Sequence, residues 1–222
     1  MPLLFTIEGN IGVGKTTLIN TLRHTPEITG RKVIFLEEPV AIWESIKDDA
    51  GKNIIELFYS DQQAYAFSFQ MMAYISRLTA LKDAMAQHPD AIIITERSVY
   101  TDKHIFAKML FDDKKISSIE YHIYNKWFDH FLKDVPLSGI IYLKCEPSIA
   151  NERVIKRSRV GETIPLEYLE RCHQYHQQWI ENTQIPTNPI DCNNLTPDYT
   201  HISDFISTII GRTDYISIYP VP

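Results

Sequence analysis

Apolar residues along this 222-residue chain gather into short, nearly unbroken runs at 3–7, 32–36, 91–95 and 140–143, with a weaker one at 190–192. They do not alternate with polar residues, so each predicts a strand covered on both faces. The stretches between them at 16–22, 65–86, 121–132, 148–158, 166–182 and 201–210 read as helices. Strands alternating with helices predict an α/β fold built on a parallel sheet. Ligands of such sheets collect beyond the carboxyl ends of the strands, so the residues that follow each run are where chemistry is expected.

After the first run comes Gly9-Asn10-Ile11-Gly12-Val13-Gly14-Lys15-Thr16-Thr17, leading into a helix. Strand, glycine loop and helix in that order make a phosphate cradle. The glycines open backbone conformations closed to other residues and turn N–H groups inward, where the helix N-terminus adds partial positive charge. Lys15 can reach the outer phosphates and Thr16 can offer a hydroxyl to Mg²⁺, as in loops of the G-x-x-x-x-G-K-[ST] type that bind nucleoside triphosphates.

Glu37 and Glu38 follow the second run, with Trp43 shortly after, and Glu96 and Arg97 follow the third. Near a triphosphate loop, one such glutamate can serve as general base toward a hydroxyl acceptor and another can hold Mg²⁺. Glu38 and Glu96 are the candidates. Side chains alternate across a strand, so Glu37 should point away from Glu38 into solvent. Arg153, Lys156, Arg157 and Arg159 concentrate positive charge, and the four-residue spacing of Arg153 and Arg157 puts them on one helix face, as a phosphate-covering lid would need. On the long helix, Gln70, Ala73 and Arg77 share a stripe that offers an amide, room for a ring and a guanidinium to a nucleobase. His173 and His176 have no third ligand spaced to complete a metal site and read as structural.

Length and a 44% hydrophobic content suit one α/β domain spanning 1–222. Twenty-two basic against twenty-eight acidic residues leave a net charge of -6, which argues against coating nucleic acid. The three cysteines form no C-x-x-C pair, no apolar run approaches the roughly 20 residues of a membrane helix, and no basic leader precedes the first strand. The chain is therefore expected in the cytoplasm, with neither nucleic acid nor membrane as a partner.

Five motifs in order carry a family resemblance: Ile7-Glu8-Gly9-Asn10-Ile11; Glu38-Pro39-Val40 with Trp43; Phe67-Ser68-Phe69-Gln70; Glu96-Arg97-Ser98-Val99-Tyr100; and Ile164-Pro165-Leu166-Glu167-Tyr168-Leu169. Together they resemble the deoxynucleoside kinases, the group containing deoxycytidine and deoxyguanosine kinases. The resemblance implies a P-loop NTPase-type fold, with five parallel strands, helices on both faces, a helical lid at about 153–163 and assembly as a homodimer. It also implies transfer of the γ-phosphoryl of ATP, or another triphosphate, to the 5′-hydroxyl of a deoxynucleoside in nucleotide salvage, with Mg²⁺ held by Thr16 and Glu96. Carried over by position, Glu38 matches the base at the 5′-hydroxyl and Arg97 the arginine beside it. Tyr59 and Glu162 match the pair on the sugar 3′-hydroxyl, Gln70 the base-reading amide, and Trp43 and Phe106 its aromatic walls. Arg153, Arg157 and Arg159 match the lid arginines. Arg77 and Asp102 resemble the pair found where cytosine or a purine is preferred to thymine. The rival readings are a thymidylate-like monophosphate kinase and a non-catalytic kinase-like scaffold subunit. The tail at 213–222 has no counterpart in the resemblance.

Overall fold

The computed structural model describes residues 1–158, 164–194 and 196–218. Its sheet has six strands: β1 (Leu3–Gly9), β2 (Glu27–Ile28), β3 (Arg31–Leu36), β4 (Ile92–Glu96), β5 (Gly139–Lys144) and β6 (Thr187–Asp191), in the order β2-β3-β4-β1-β5-β6. The five longer strands are parallel, at the places the apolar runs marked. The expected count of five is corrected by β2, a two-residue strand pairing antiparallel with β3. Its single buried residue, Ile28, is too short a signal for hydrophobic periodicity to register.

The helices are α1 (Lys15–Leu22), α2 (Val40–Ser45), α3 (Ile54–Ser60), α4 (Gln62–Gln87), α5 (Val99–Thr101), α6 (Lys108–Asp112), α7 (Ser118–Phe131), α8 (Pro147–Arg157), α9 (Leu166–Asn182) and α10 (Ile202–Ile218). A π-helical turn at Asp102–Ala107 joins α5 to α6. The sequence reading missed α2, α3 and the 99–112 segment because all are short. Glu56 and Asn53 do form a capping box at the start of α3, which a search for N-cap residues would have found. The last helix runs past Gly211, where the sequence pattern had stopped it.

Central strand β1 explains the layering. Leu3, Phe5 and Ile7 join the core shared with α1 and α10, whereas Leu4 joins the core shared with α4 and α7. Both faces are dry and the strand is buried along its whole length, hence its unbroken apolar start. Thr6 and Glu8, in phase with Leu4, are the exceptions: two polar residues at 0% exposure. On α7, Tyr124 and Phe128 lie inside the core and Trp127 is about half exposed.

Candidate active site

The carboxyl ends of β1, β3 and β4 open into a cavity of about 390 Å³, bounded by the glycine loop on one side and α4 on the other. The glycine loop is held by close backbone approach. Gly12 has φ +80°, and a Cβ there would stand 2.5 Å from the Ala150 carbonyl oxygen; Gly9 meets the Leu143 carbonyl in the same way. Only glycine fits where two backbones press together in that conformation. Asn10 fastens the loop from behind, donating from Nδ2 to the Leu169 carbonyl at 2.8 Å and accepting from the Ile11 N–H. The Lys15 ammonium is buried inside the loop, 2.9 Å from the Asn10 carbonyl. Burial, reinforced by the charge of Arg97, outweighs the pull of Glu38, Glu96 and Glu8 and lowers its pKa to about 7.

Thr16 donates its hydroxyl to Glu96 Oε1 at 2.8 Å, joining the first turn of α1 to the end of β4. A hydroxyl and a carboxylate oxygen side by side next to a phosphate loop suit a hard cation that keeps water and phosphate oxygens as its other ligands. Glu38 lies deeper in the cavity. Its Oε1 stands 3.2 Å from Arg77 Nη2 and 3.2 Å from Arg97 Nε. Burial pushes its pKa up, but the charges of Arg97, Arg77 and Lys15, with the hydrogen bond from Arg77, more than reverse this and hold the carboxyl below its ordinary range. Glu37, in contrast, pairs with Arg23 at the surface, as strand alternation predicts.

Arg77 is the hub of the far wall. It bonds Asp102 through Nε at 3.0 Å and the Glu96 carbonyl through Nη1 at 2.9 Å, besides Glu38. Burial pulls its pKa down, while Asp102 and Glu38 raise it further, so the guanidinium stays charged. The π-helical turn brings both Asp102 and Phe106 to the cavity, and the Arg97 guanidinium lies 5.0 Å over the Phe106 ring. Such turns are frequent at functional sites. Gln70 is 2% exposed and its amide oxygen has no protein partner among the described residues, although it lines the cavity. A buried acceptor left open beside a cavity is suited to a ligand's N–H. Trp43 stands edge-on to Phe69 and is fixed by donating from Nε1 to Ser76 Oγ at 2.9 Å.

Tyr59, Arg153 and Arg157 also line the cavity. Arg153 spends part of its guanidinium on the backbone, donating to the Val13 carbonyl at 3.4 Å and the Asn194 carbonyl at 3.2 Å. It thus ties α8 to the glycine loop. Arg159 and Glu162 lie outside the described residues. Gly9, Asn10 and Val13 shape the loop without lining the cavity. Sequence reasoning missed Ile55 and Phe58 of α3 and Tyr168 of α9, which complete the walls. Tyr168 sat inside a quoted motif, and the other two sat in a helix too short to be recognised. His176 stacks on Tyr142 in the core, with Nδ1 2.6 Å from the Cys172 carbonyl.

A phosphate loop facing a carboxylate across a nucleoside-sized cavity defines a P-loop phosphotransferase. Comparison with known proteins narrows the class. The deoxynucleoside kinase family profile matches residues 5–212. A probable deoxycytidine kinase of fowlpox virus (strain NVSL) is 36% identical, covering 92% of this chain and 88% of its own. Deoxycytidine kinase of Bos taurus is 32% identical, with 92% and 91% covered. A mitochondrial deoxyguanosine kinase of Xenopus laevis is 31% identical over 79% of this chain and 72% of that one. The chain belongs to the deoxynucleoside kinase family, and it is an enzyme that phosphorylates deoxynucleosides. Among the described residues, no helix is long and apolar enough to cross a membrane.

Proposed function

We propose that this enzyme transfers the γ-phosphoryl of ATP, or of another nucleoside triphosphate, to the 5′-hydroxyl of deoxycytidine or a purine deoxynucleoside in preference to thymidine. The observation that carries the reading is the placement of Glu38, an ionised carboxylate steadied by two guanidiniums in the same cavity as Lys15. Glu38 accepts the proton of the 5′-hydroxyl as that oxygen bonds to phosphorus. A carboxylate held below its ordinary pKa is a weak base in the ground state, so the proton moves only as the oxygen acquires bonding to the phosphoryl group. Lys15 and Arg157 offset the charge on the phosphoryl oxygens, joined by Arg159. Thr16 and Glu96 would hold Mg²⁺, which when bound neutralises charge on the donor phosphates.

Gln70 reads the base, Trp43 and Phe106 flank it, and Tyr59 with Glu162 holds the sugar. The Arg77–Asp102 pair fills the space a 5-methyl group would need and offers its charges to a cytosine or purine edge. We further propose that 1–222 acts as one domain in the cytoplasm and pairs as a homodimer. Exposed Ile75 of α4 and Ile119, Ile123 and Trp127 of α7 supply the apolar face for that pairing.

The test is to rank the four deoxynucleosides and their 5′-monophosphates by kcat/KM with labelled ATP. Deoxycytidine or a purine deoxynucleoside should lead, and thymidine should trail. Preference for a monophosphate would overturn the acceptor assignment, and thymidine in first place would overturn the role given to Arg77 and Asp102.

A further inference from the structure

The buried carboxylate of Glu8 does not line the cavity but lies behind it, where its charge acts on Lys15. Glu8 is 0% exposed in mid-sheet and its partners are hydroxyls. Oε1 accepts from Thr6 Oγ1 at 2.8 Å and from Ser98 Oγ at 2.6 Å, and Oε2 accepts from Thr101 Oγ1. A carboxylate taken out of water at such a position costs several kcal/mol unless its lone pairs are filled. Burial raises its pKa, and the hydroxyls of Ser98 and Thr101, the charge of Arg97 and the hydroxyl of Thr6 reverse only part of that rise. Residues shaping only a core would be apolar here, as Leu4 is on the same face of β1.

What the Ser98 and Thr101 hydroxyls fasten to β1 is the turn that carries Arg97, while Thr6, on β1 itself, fills a further lone pair of the carboxylate. Arg97 has φ +59°, the left-handed region, although it is not glycine. Such a backbone costs of order 1 kcal/mol or more and persists only when its surroundings impose it. The end of β1 imposes it at three consecutive residues. The Ile7 carbonyl accepts from the Arg97 N–H at 3.0 Å, Glu8 holds Ser98 and Thr101 on the far side of the turn, and the Gly9 carbonyl accepts from Arg97 Nη1 at 2.9 Å. Ser98 is also the N-cap of α5, accepting from the Thr101 N–H. The next residue along is Asp102, the partner of Arg77.

We propose that Glu8 is a positioning residue for phosphoryl transfer, clamping the 97–101 turn to β1 so that Arg97 holds Glu38 at the acceptor hydroxyl. The inference rests on the role given to Glu38 and Arg97 above. It predicts an effect chiefly on the chemical step, because Gln70 and Trp43 stand on α4 and α2, away from the clamp, and Asp102 is anchored independently by Arg77 of α4.

The experiment is a double-mutant cycle on the full chain with the best deoxynucleoside and ATP. Glu8→Gln keeps the volume and one acceptor but removes the charge that faces three donors. Its kcat should fall about tenfold to a hundredfold, the scale of a misplacement of about 1 Å at a reacting group, with the deoxynucleoside KM within about twofold. Placed on an Arg97→Ala background, the same substitution should cost about threefold or less, since the group it positions is gone. An unchanged kcat, a loss confined to KM, or full multiplication of the two effects would each overturn the proposal. Should Glu8→Gln fail to fold, Thr101→Val carries the same cycle, because it removes one donor and leaves the carboxylate. Wild-type turnover separates the two layers: a wild type inactive on every deoxynucleoside overturns the functional reading itself, whereas an active wild type with a multiplicative cycle overturns only the clamp.

Discussion

Replacing Glu38 with glutamine tests the centre of the mechanism. The amide keeps an oxygen where Oε1 now stands 3.2 Å from Arg77 Nη2 and 3.2 Å from Arg97 Nε, so the walls of the nucleoside pocket need not move. The negative charge and the basic lone pair are what disappear. Loss of a general base costs about 10² to 10⁴ in rate, so kcat should fall at least about a hundredfold, equivalent to about 2.7 kcal/mol in the barrier. The deoxynucleoside Kd should change by less than about threefold. Arg97 would lose the carboxylate it pairs with and Arg77 would be left with Asp102, which should lower stability by about 2–3 kcal/mol and the Tm by about 4–12 °C. In the wild type the folded pKa of Glu38 is depressed. Its contribution to stability is therefore fully present above the unfolded carboxylate pKa and lost as pH falls through the lower folded value; the variant should lack that acid loss. Initial rates with labelled ATP, equilibrium nucleoside binding and thermal melts between about pH 3 and 7 measure all of this. A variant with kcat within about fivefold of wild type would show that Glu38 is not the base, whatever its stability.

Asp102→Ala should remove the bidentate anchor of Arg77 and open room beside the base. Thymidine should gain at least about tenfold in kcat/KM relative to deoxycytidine, roughly one unpaired buried polar group's worth of discrimination, and no change in that ratio would refute the steric argument. Gly12→Ala should cost at least about tenfold in the KM for ATP and about 1–3 kcal/mol in stability, because the added Cβ meets the Ala150 carbonyl at 2.5 Å with φ at +80°; a normal melt and normal KM would show that the loop yields freely. Because the Lys15 pKa is about 7 in the free enzyme and anionic phosphates raise it, ATP binding at pH 8 should take up close to one proton, and roughly half of one at pH 7. Calorimetry in buffers of different ionisation enthalpy reads this directly, and Lys15→Met should abolish the uptake.

Long elements and their chemistry were open to inspection from residue order alone. Five apolar runs located the five parallel strands, most sharply β1, β4 and β5, because a strand dry on both faces has no polar phase to confuse it; β3 and β6 are only partly covered. The phosphate loop was equally plain, since its glycines, lysine and threonine act through local backbone geometry at fixed spacing. Glu38, Arg97 and Gln70 could be named as single residues for the same reason: each stands at a strand end or on a long helix whose face can be computed. Two-residue β2, the short α2 and α3 and the π-helical turn escaped, because elements of that length are stabilised by what packs on them and not by their own periodicity.

Tertiary structure alone decided which side chains meet. That the expected Arg77–Asp102 pair also reaches Glu38, that Arg153 bonds the backbone of the glycine loop, and that Ile55, Phe58 and Tyr168 close the cavity are all contacts between segments far apart in the chain. Glu8 is the sharpest instance. In the sequence it is one acid next to a glycine. Only the sheet, by burying β1 on both faces and laying the turn after β4 across its end, turns that acid into a dry carboxylate filled by three hydroxyls. Spacing along the chain sets what each residue is able to do; desolvation and partners, which only folding supplies, set whether it is a base, a strut or a phosphate ligand.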